Sequence, residues 1–380
     1  MTKQTAYDTL RADAQATAVE PVAPERFDYE AFEDRESACL ERCRAFRAAQ
    51  SGILVHRRMR VGEVFSHLCR DMQSSLRLQL GGLQAGLEYE NDCANFLEPW
   101  YGIGTIAGAF GAEYYWPEGQ APMVRPLFSC AREALSAPVR PVRDTPIGRH
   151  TLEMMRYFLD CTAGRLPISL TDTQSPFNTA CQIVDINGLL LEMLDDPEPV
   201  RQLLLLIAEL LAEFTREQLA LLGRTAVFPG HGFASSRVFG GVGFSDDNLL
   251  MISETMYRRV NLPSVERLAG AWGGIAFHSC GDWSRKLRLV ASFPGLVGVD
   301  GAFTAETDPC PNPTAPFAEV LPESGLVLNA RLVGGAESAT AAAAALWRPG
   351  LKLIAVTYCP SPREQAFAYE RIHGLARIGS

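Results

Sequence analysis

Short apolar runs alternate with longer amphipathic stretches through the carboxyl-terminal half of the chain. Five of the runs are followed directly by a polar or sulfur-containing residue: 225–230 by His231, 274–277 by His278, 296–299 by Asp300, 325–328 by Asn329, and 352–358 by Cys359. Short apolar runs bounded by turn residues are typical of buried strands. Because about one strand and one helix fit between successive runs, the pattern predicts repeated βα units and a parallel sheet.

Polar groups at the carboxyl ends of successive parallel strands are typical of the active face of a TIM barrel. An open doubly wound sheet is the alternative, but it concentrates its ligands at one switch point, whereas polar groups here follow at least five strands. A further strand is predicted at 167–172, ending in Asp172. The fold class expected is therefore α/β, a (β/α)8 TIM barrel over residues 51–380 with an N-terminal helical extension over residues 1–50.

Capping residues predict where two long helices begin or end. Asp196 and Pro197 suit the cap and the first position of a helix that Gly223 closes. Ser361 and Glu364 form the pattern of a capping box at the start of another helix, directly after Cys359. Since a helix N-terminus favours negative charge, we expect this helix to favour the Cys359 thiolate.

Composition limits the class of protein. The 380 residues are 47% hydrophobic and 21% charged, which suits a large globular core, and the net charge of −9 with scattered basic residues argues against a nucleic-acid partner. The strongest apolar stretch, 203–214, is too short to span a bilayer. Ten cysteines without a recognisable signal peptide are best interpreted as reduced thiols, so we expect a cytoplasmic protein.

Three possible metal ligands follow predicted strands. His278 and Cys280 are two residues apart in an extended segment, which points both side chains to one side, and Cys359 follows a later strand. A set of one imidazole and two thiolates leaves one position of a tetrahedral zinc open, which is typical of a catalytic site. Burial in the core is the alternative for any of the ten cysteines, because free cysteine is among the most buried residue types.

Other polar residues could complete the site. A fourth zinc ligand could come from Asp247, Glu254 or Asp300. The substrate pocket could be lined by Asp172, His231, Asn329 and Arg331, although each could instead cap a strand-to-helix loop. His56 and His67, near several arginines, are expected at the surface or rim.

Several motifs together resemble the uroporphyrinogen decarboxylase superfamily. They are Phe244-Ser-Asp-Asp247, Met251-Ile-Ser-Glu-Thr-Met-Tyr257, Leu262-Pro263 and His278-Ser-Cys280-Gly281. The resemblance covers about residues 90–378. Its most specific part is His-x-Cys-Gly with a strand-end cysteine 79 residues after Cys280, which resembles the zinc-dependent branch that takes a methyl group from a methylated corrinoid protein.

This resemblance implies a TIM-barrel methyltransferase with zinc held by His278, Cys280 and Cys359. It further implies methylcobalamin on a corrinoid protein partner as methyl donor, and a thiol such as coenzyme M or homocysteine, or a tetrahydrofolate-type pterin, as acceptor. A homodimer is expected only from the general frequency of such assemblies.

Two alternatives stay open. The Arg-Gln-Ala-Gly-Arg motif of uroporphyrinogen decarboxylases is missing, and the nearest cluster, His56-Arg57-Arg58-Met59-Arg60, does not match it. A decarboxylase acting on a tetrapyrrole or another carboxylated substrate is therefore disfavoured, and it would leave the three metal ligands without a role. A non-catalytic corrinoid-partner protein is the second alternative.

Overall fold

The computed structural model describes residues 16–65, 70–99, 102–116 and 121–378. Within them the strands are β1 Gly52–Arg57, β2 Val242–Ser245, β3 Ile275–His278, β4 Leu296–Ala302, β5 Val327–Leu332 and β6 Lys352–Thr357. The α-helices are α1 Tyr29–Ala48, α2 Met72–Gly86, α3 Ala131–Ser136, α4 Pro146–Cys161, α5 Pro176–Ile183, α6 Ile186–Asp195, α7 Pro197–Leu222, α8 Leu262–Trp272, α9 Leu287–Ala291, α10 Thr314–Val320, α11 Ala336–Leu346 and α12 Pro362–Ile378. A single α-turn, Glu254–Met256, and a π-helical turn, Tyr257–Asn261, precede α8.

The six strands form one parallel sheet in the order β1-β6-β5-β4-β3-β2. Strands β2 to β6 are neighbours in chain order, and each connection carries at least one helix. The pairing of β1 with β6 brings the two ends of the barrel sequence together. This arrangement confirms the predicted βα units and their parallel sheet.

Short irregular segments complete the wall of the barrel between β2 and β1. The segment 167–175 bonds to β2 through the N–H of Ser245 and the carbonyl of Thr173, 2.9 Å, and 225–229 bonds to β2 through Gly243 and Pro229, 2.9 Å. Isolated parallel bridges join Ile168 to Ala226 and Leu97 to Ile168, and the N–H of Asp92 donates to Val55 in β1. The α/β barrel is therefore confirmed. Part of its wall consists of regular strands and part of irregular segments.

Two predicted strands are reduced to isolated bridges. The segment predicted at 167–172 pairs at Ile168, and the segment predicted at 225–230 pairs through Ala226 and Phe228. Pro167 and Pro229 lack the N–H that a strand donates to its ladder, so regular pairing cannot extend through them.

The strands bury two different apolar surfaces. Ile53, Val55, Leu353 and Ala355 belong to the large core between strands and helices. The alternating residues Leu54, Ile354, Val356 and Tyr358 belong to a smaller cluster together with Ala234, Val333 and Cys93. Since successive strand residues point to opposite faces, the second set faces the interior of the barrel.

The strand register arranges interior residues in layers. One layer contains Leu54, Ile354, Asn329, Asp300 and His278, each in register with its neighbour. The layer two residues further on contains His56, Val356, Arg331 and Ala302. The interior therefore changes from apolar on the β1–β6 side to polar on the β3–β5 side.

Helix α1 packs at the amino-terminal end of the strands. Its residues Cys43 and Phe46 belong to the interior cluster, and the Phe46 ring lies 5.1 Å from Lys352 Nζ, at the first residue of β6. The helical character predicted for the extension is confirmed over Tyr29–Ala48. Residues 1–15 lie outside the described residues, and the boundary at residue 50 stays a prediction.

The predicted helix caps are present. Asp196 accepts a hydrogen bond from the N–H of Glu198 at the start of α7, with Pro197 at the first position and Gly223 following the last residue with φ 52°. Ser361 Oγ accepts from the N–H of Glu364, 3.3 Å, at the start of α12. None of the helices among the described residues is long and apolar enough to cross a membrane.

Candidate metal centre

Strand β3 positions His278 and Cys280. Its residues Ile275, Ala276 and Phe277 are fully buried, and the Phe277 ring contacts that of Trp283, 5.1 Å between centroids. This packing fixes the strand, so that the residues following it emerge at the carboxyl-terminal face of the barrel. Gly281 then adopts φ 71°, a conformation that residues with a Cβ rarely adopt, and its N–H donates to Asp308, 2.9 Å.

Asp247 joins these two side chains from the neighbouring strand end. It follows β2, which pairs with β3, and its Oδ1 accepts the N–H of Cys280 at 2.6 Å. Asp247, His278 and Cys280 each offer one ligand atom, and these three atoms lie within 4.8 Å of one another. Among the described residues, these three are the histidine, cysteine and acidic side chains that lie close enough together to share a metal ion.

Asp300 determines which nitrogen of His278 is available. His278 Nδ1 lies 2.5 Å from Asp300 Oδ1, a distance that requires a proton between them because a carboxylate can only accept. His278 Nε2 therefore faces the group, 3.5 Å from Cys280 Sγ. A carboxylate behind an imidazole is the arrangement that orients metal-binding histidines and raises their basicity.

Asp300 is itself firmly held. It is fully buried and accepts hydrogen bonds from Asn329 Nδ2, 2.5 Å, and Arg331 Nε, 2.9 Å. Burial alone would raise the pKa of Asp300, but Arg331 and His278 hold it below its ordinary value. Burial conversely opposes the charged form of His278, and the attraction of Asp300 outweighs it and raises the pKa of His278 to about 10. In the metal-free protein the two form an ion pair.

Cys359 is not part of this group. It is fully buried and lies in the core between strands and helices, whereas Tyr358 before it faces the barrel interior. Burial raises the pKa of the Cys359 thiol to about 11, against the opposing effect of Arg57. The expected preference for thiolate at the start of α12 is therefore outweighed by desolvation, and Cys359 as a third zinc ligand stays a prediction.

The other predicted site residues are spread around the barrel mouth. Asn329 and Arg331 join the group through Asp300. Asp172 lies on the segment beside β2 and accepts from Gln174 Nε2, 3.1 Å. Glu254 is exposed in the turn that precedes α8, where Ser253 provides the cap.

His231 belongs to a second polar cluster, which also contains Glu98 and Arg58. His231 Nδ1 lies 2.9 Å from Glu98 Oε1, and Arg58 Nη2 donates to both oxygens of Glu98 at 3.2 and 3.3 Å. Burial would raise the pKa of Glu98, but Arg58 and His231 lower it to about 2. Glu98 was not predicted from the sequence, because it follows an irregular segment without strand periodicity.

The expectation for His56 was wrong. His56 lies in β1 and is fully buried, with Nδ1 3.1 Å from the carbonyl of Cys93. Since a carbonyl only accepts, Nδ1 carries the proton and Nε2 is an acceptor facing the interior. Burial lowers the pKa of His56 to about 4. The alternation of β1 could have revealed this position; His67 lies outside the described residues.

Comparison with known protein families identifies the domain. The family model of uroporphyrinogen decarboxylase (URO-D) matches residues 43–228. This part of the chain is similar to the URO-D family. The URO-D match ends before β2, so Asp247, His278 and Cys280 lie beyond it. No curated protein matches the chain in sequence.

A solved structure extends the likeness over nearly the whole chain. A methyltransferase from Methanosarcina mazei has a TM-score of 0.56 at 12% sequence identity, covering 97% of this chain and 98% of that chain. At this identity the likeness establishes the fold. A B12-independent methionine synthase from Shewanella sp. W3-18-1, in complex with selenomethionine, has 11% identity and a TM-score of 0.42, covering 91% of this chain and 88% of that one.

The donor set of the group fits a zinc ion. Thiolate sulfur, imidazole nitrogen and carboxylate oxygen are all ligands that zinc accepts in four-coordinate sites. The hydrogen bond from His278 Nδ1 to Asp300 leaves Nε2 for the metal, as a zinc site requires. Oxygen-preferring ions such as Mg²⁺ and Ca²⁺ suit this set poorly, because two of the three ligand atoms are nitrogen and sulfur.

Proposed function

We propose that the chain is a zinc-dependent methyltransferase that moves a methyl group between a methylated corrinoid protein and a thiol or pterin acceptor. The observation that carries the proposal is the grouping of Asp247, His278 and Cys280 at the barrel mouth, with Asp300 behind His278. The URO-D match over residues 43–228 and the methyltransferase fold neighbour support, more coarsely, an enzyme of methyltransferase or decarboxylase type.

The chain's own residues provide binding and orientation. Asp300 holds the His278 ring with Nε2 towards Cys280, while Asp247 fixes the Cys280 backbone. Arg331 lies close enough to Cys280 to interact with it electrostatically. When bound, zinc supplies a site at which an acceptor thiol is kept as thiolate, the nucleophilic form, at neutral pH.

The third protein ligand distinguishes two forms of the proposal. Asp247 already offers an oxygen beside His278 and Cys280, whereas Cys359 lies in the buried core and outside this group. A site with Cys359 would have the two thiolates and one imidazole expected from the sequence. A site with Asp247 would have one sulfur, one nitrogen and one oxygen ligand.

Zinc content tests the proposal directly. Wild-type protein purified without added zinc or a metal-binding tag should contain about one zinc per chain. Cys280→Ser should remove most of it, because a hydroxyl is a far poorer zinc ligand than a thiolate. Cys310→Ser is the matched control, since Cys310 is an exposed cysteine close in space to Gly281 through Asp308.

Comparison of Asp247→Asn with Cys359→Ser then identifies the third ligand, because the true ligand is the one whose loss lowers zinc content. Loaded wild-type protein should transfer methyl groups from methylcobalamin to a thiol or to tetrahydrofolate. Folded protein that cannot be loaded with zinc, or full zinc content in Cys280→Ser, would defeat the proposal. Turnover of a porphyrinogen by metal-free protein would favour the decarboxylase.

A further inference from the structure

Two cysteines from different parts of the chain are in contact inside the protein. Cys43 lies in α1, Cys93 lies in the irregular segment beside β1, and their sulfur atoms are 3.7 Å apart. Both side chains are fully buried and belong to the interior cluster. The candidate metal centre contains neither of them, so the pair is a separate group of potentially reactive side chains.

Hydrogen bonds hold the two sulfur atoms in this position. The segment with Cys93 is fixed to β1, because Asp92 accepts the N–H of Val55, 2.7 Å, and the carbonyl of Cys93 accepts from His56 Nδ1, 3.1 Å. Cys43 Sγ lies 3.5 Å from the carbonyl of Asp92. Since a disulfide bond is about 2.05 Å long, the sulfur atoms have to approach by about 1.7 Å to form one.

The two thiols differ in acidity. A hydrogen bond from Cys93 lowers the pKa of the Cys43 thiol, and a second one from Ser236 adds to this effect against the opposing effect of burial. The shared hydrogen bond and burial together raise the pKa of Cys93 well above its ordinary value. Because the thiolate is the reactive form of cysteine, Cys43 is the sulfur that attacks an oxidant first.

A surface cavity reaches the neighbours of both cysteines. It has a volume of about 680 Å³ and lies between α1, β1 and α12, where Arg42, Phe46 and Asp92 line it. Arg42 precedes Cys43 in the chain, and Asp92 precedes Cys93. A small oxidant therefore has a short path from solvent to the pair, whereas the complete burial of both sulfur atoms excludes bulky reagents.

We propose that Cys43 and Cys93 form a reversible disulfide when a small hydroperoxide oxidises Cys43. The Cys43 thiolate attacks one oxygen of hydrogen peroxide, the O–O bond breaks, and hydroxide leaves and takes up a proton, so that Cys43 becomes a sulfenic acid. The Cys93 sulfur then attacks the Cys43 sulfur, and its proton leaves with the hydroxyl group as water. Two thiols and one peroxide thus give one disulfide and two waters, and no step depends on zinc or methyl transfer.

Mass spectrometry of peptides detects the bond directly. Full-length protein is treated with hydrogen peroxide, its remaining thiols are alkylated under denaturing conditions, and it is digested without reduction. Trypsin cuts after Arg42, so Cys39 and Cys43 lie on different peptides. Cys39→Ala is the matched control, since Cys39 lies one turn earlier in α1 and burial raises the pKa of its thiol to about 11.

We expect a peptide with Cys43 linked to Cys93 in oxidised wild-type and Cys39→Ala protein, and its loss on treatment with dithiothreitol. In Cys93→Ala, peroxide should instead add oxygen to Cys43. The bond should raise the urea midpoint of oxidised wild-type protein, because it closes a loop of about 50 residues between α1 and the barrel.

The exposed Cys310 provides the reference for the peroxide dose. Recovery of Cys43 and Cys93 as free thiols, at a dose that oxidises Cys310 completely, would overturn the proposal. Linkage of Cys43 to Cys39 in place of Cys93 would overturn it as well.

Discussion

A single carboxylate links the metal group to the rest of the polar interior. Asp300 accepts from His278, Asn329 and Arg331, so it determines the orientation of the His278 ring and holds the Arg331 guanidinium group. Changes at Asp300 are therefore expected to alter metal affinity through the orientation of His278.

Replacement of Asp300 by asparagine measures this effect. The Asn side chain has the same shape, but its amide would face the donors of Asn329 or Arg331, and it no longer attracts the His278 ring. We expect zinc affinity to fall by about 10–100-fold, the usual cost of losing such an orienting carboxylate. Competition with a chromophoric chelator gives the dissociation constant.

Asp282→Asn is the control for the loss of one negative charge, because Asp282 is exposed on the loop that follows Cys280 and bonds only to the N–H of Ser284 among the described residues. Equal zinc affinity in Asp300→Asn and Asp282→Asn would mean that His278 is not a ligand or is oriented by other contacts.

The candidate metal ligands were easier to find in the sequence than the side chains around them. His278 and Cys280 form a short local motif. Asp300 and Asn329 were found because each follows an apolar run, although the structure places them inside β4 and β5 and not at the strand ends. Glu98 was missed and His56 was wrongly expected at the surface or rim, because their positions depend on contacts between segments that are distant in the sequence. Register and burial arise from tertiary pairing, which has no local signature in the sequence.

At the scale of elements, capping predicted the helices well, and proline explains the strands that are reduced to bridges. Asp196 and Ser361 cap α7 and α12 through contacts with residues two or three positions away, so the sequence contains the necessary information. Close approaches between elements are different. They depend on glycines whose neighbours are known only from the fold.

Gly148 is such a position. It lies in the first turn of α4, where a Cβ would be 1.9 Å from the carbonyl oxygen of Val142, far inside any real contact. Gly148→Ala should therefore force α4 away from the turn before it and destabilise the protein by about 2 kcal/mol or more, as overpacking does. Urea denaturation at neutral pH measures the change.

The control is Gly270→Ala in α8, where an added Cβ meets nothing within 4 Å and the residue is exposed. Since alanine has the higher helix propensity, this variant should be about 0.5–1 kcal/mol more stable than wild type. The two substitutions should thus change the free energy of unfolding in opposite directions. A loss of stability of similar size in both would mean that the close approach at Gly148 has no energetic consequence.

At the scale of the whole molecule, α1 packs against the barrel and is not a separate extension. Phe46 is 5% exposed and packs with the interior cluster, and Lys352 at the start of β6 donates to the carbonyl of Arg47, 2.9 Å. Arg237, in the loop before β2, also pairs with Glu36 in α1 through Nε, 2.6 Å. These contacts predict that α1 and the barrel unfold together.

Phe46→Ala tests this cooperation. Removal of a buried phenylalanine ring typically costs about 3–5 kcal/mol, whereas Phe367→Ala, at a ring that is 46% exposed on α12, should cost little. Trp283 is fully buried against β3 and so contributes a fluorescence signal from the barrel wall. If α1 closes the barrel, Phe46→Ala lowers the denaturation midpoint seen by tryptophan fluorescence and by helical ellipticity equally. An early loss of ellipticity with an unchanged fluorescence midpoint would instead show that the extension unfolds independently, because the barrel wall would then not depend on the contacts of Phe46.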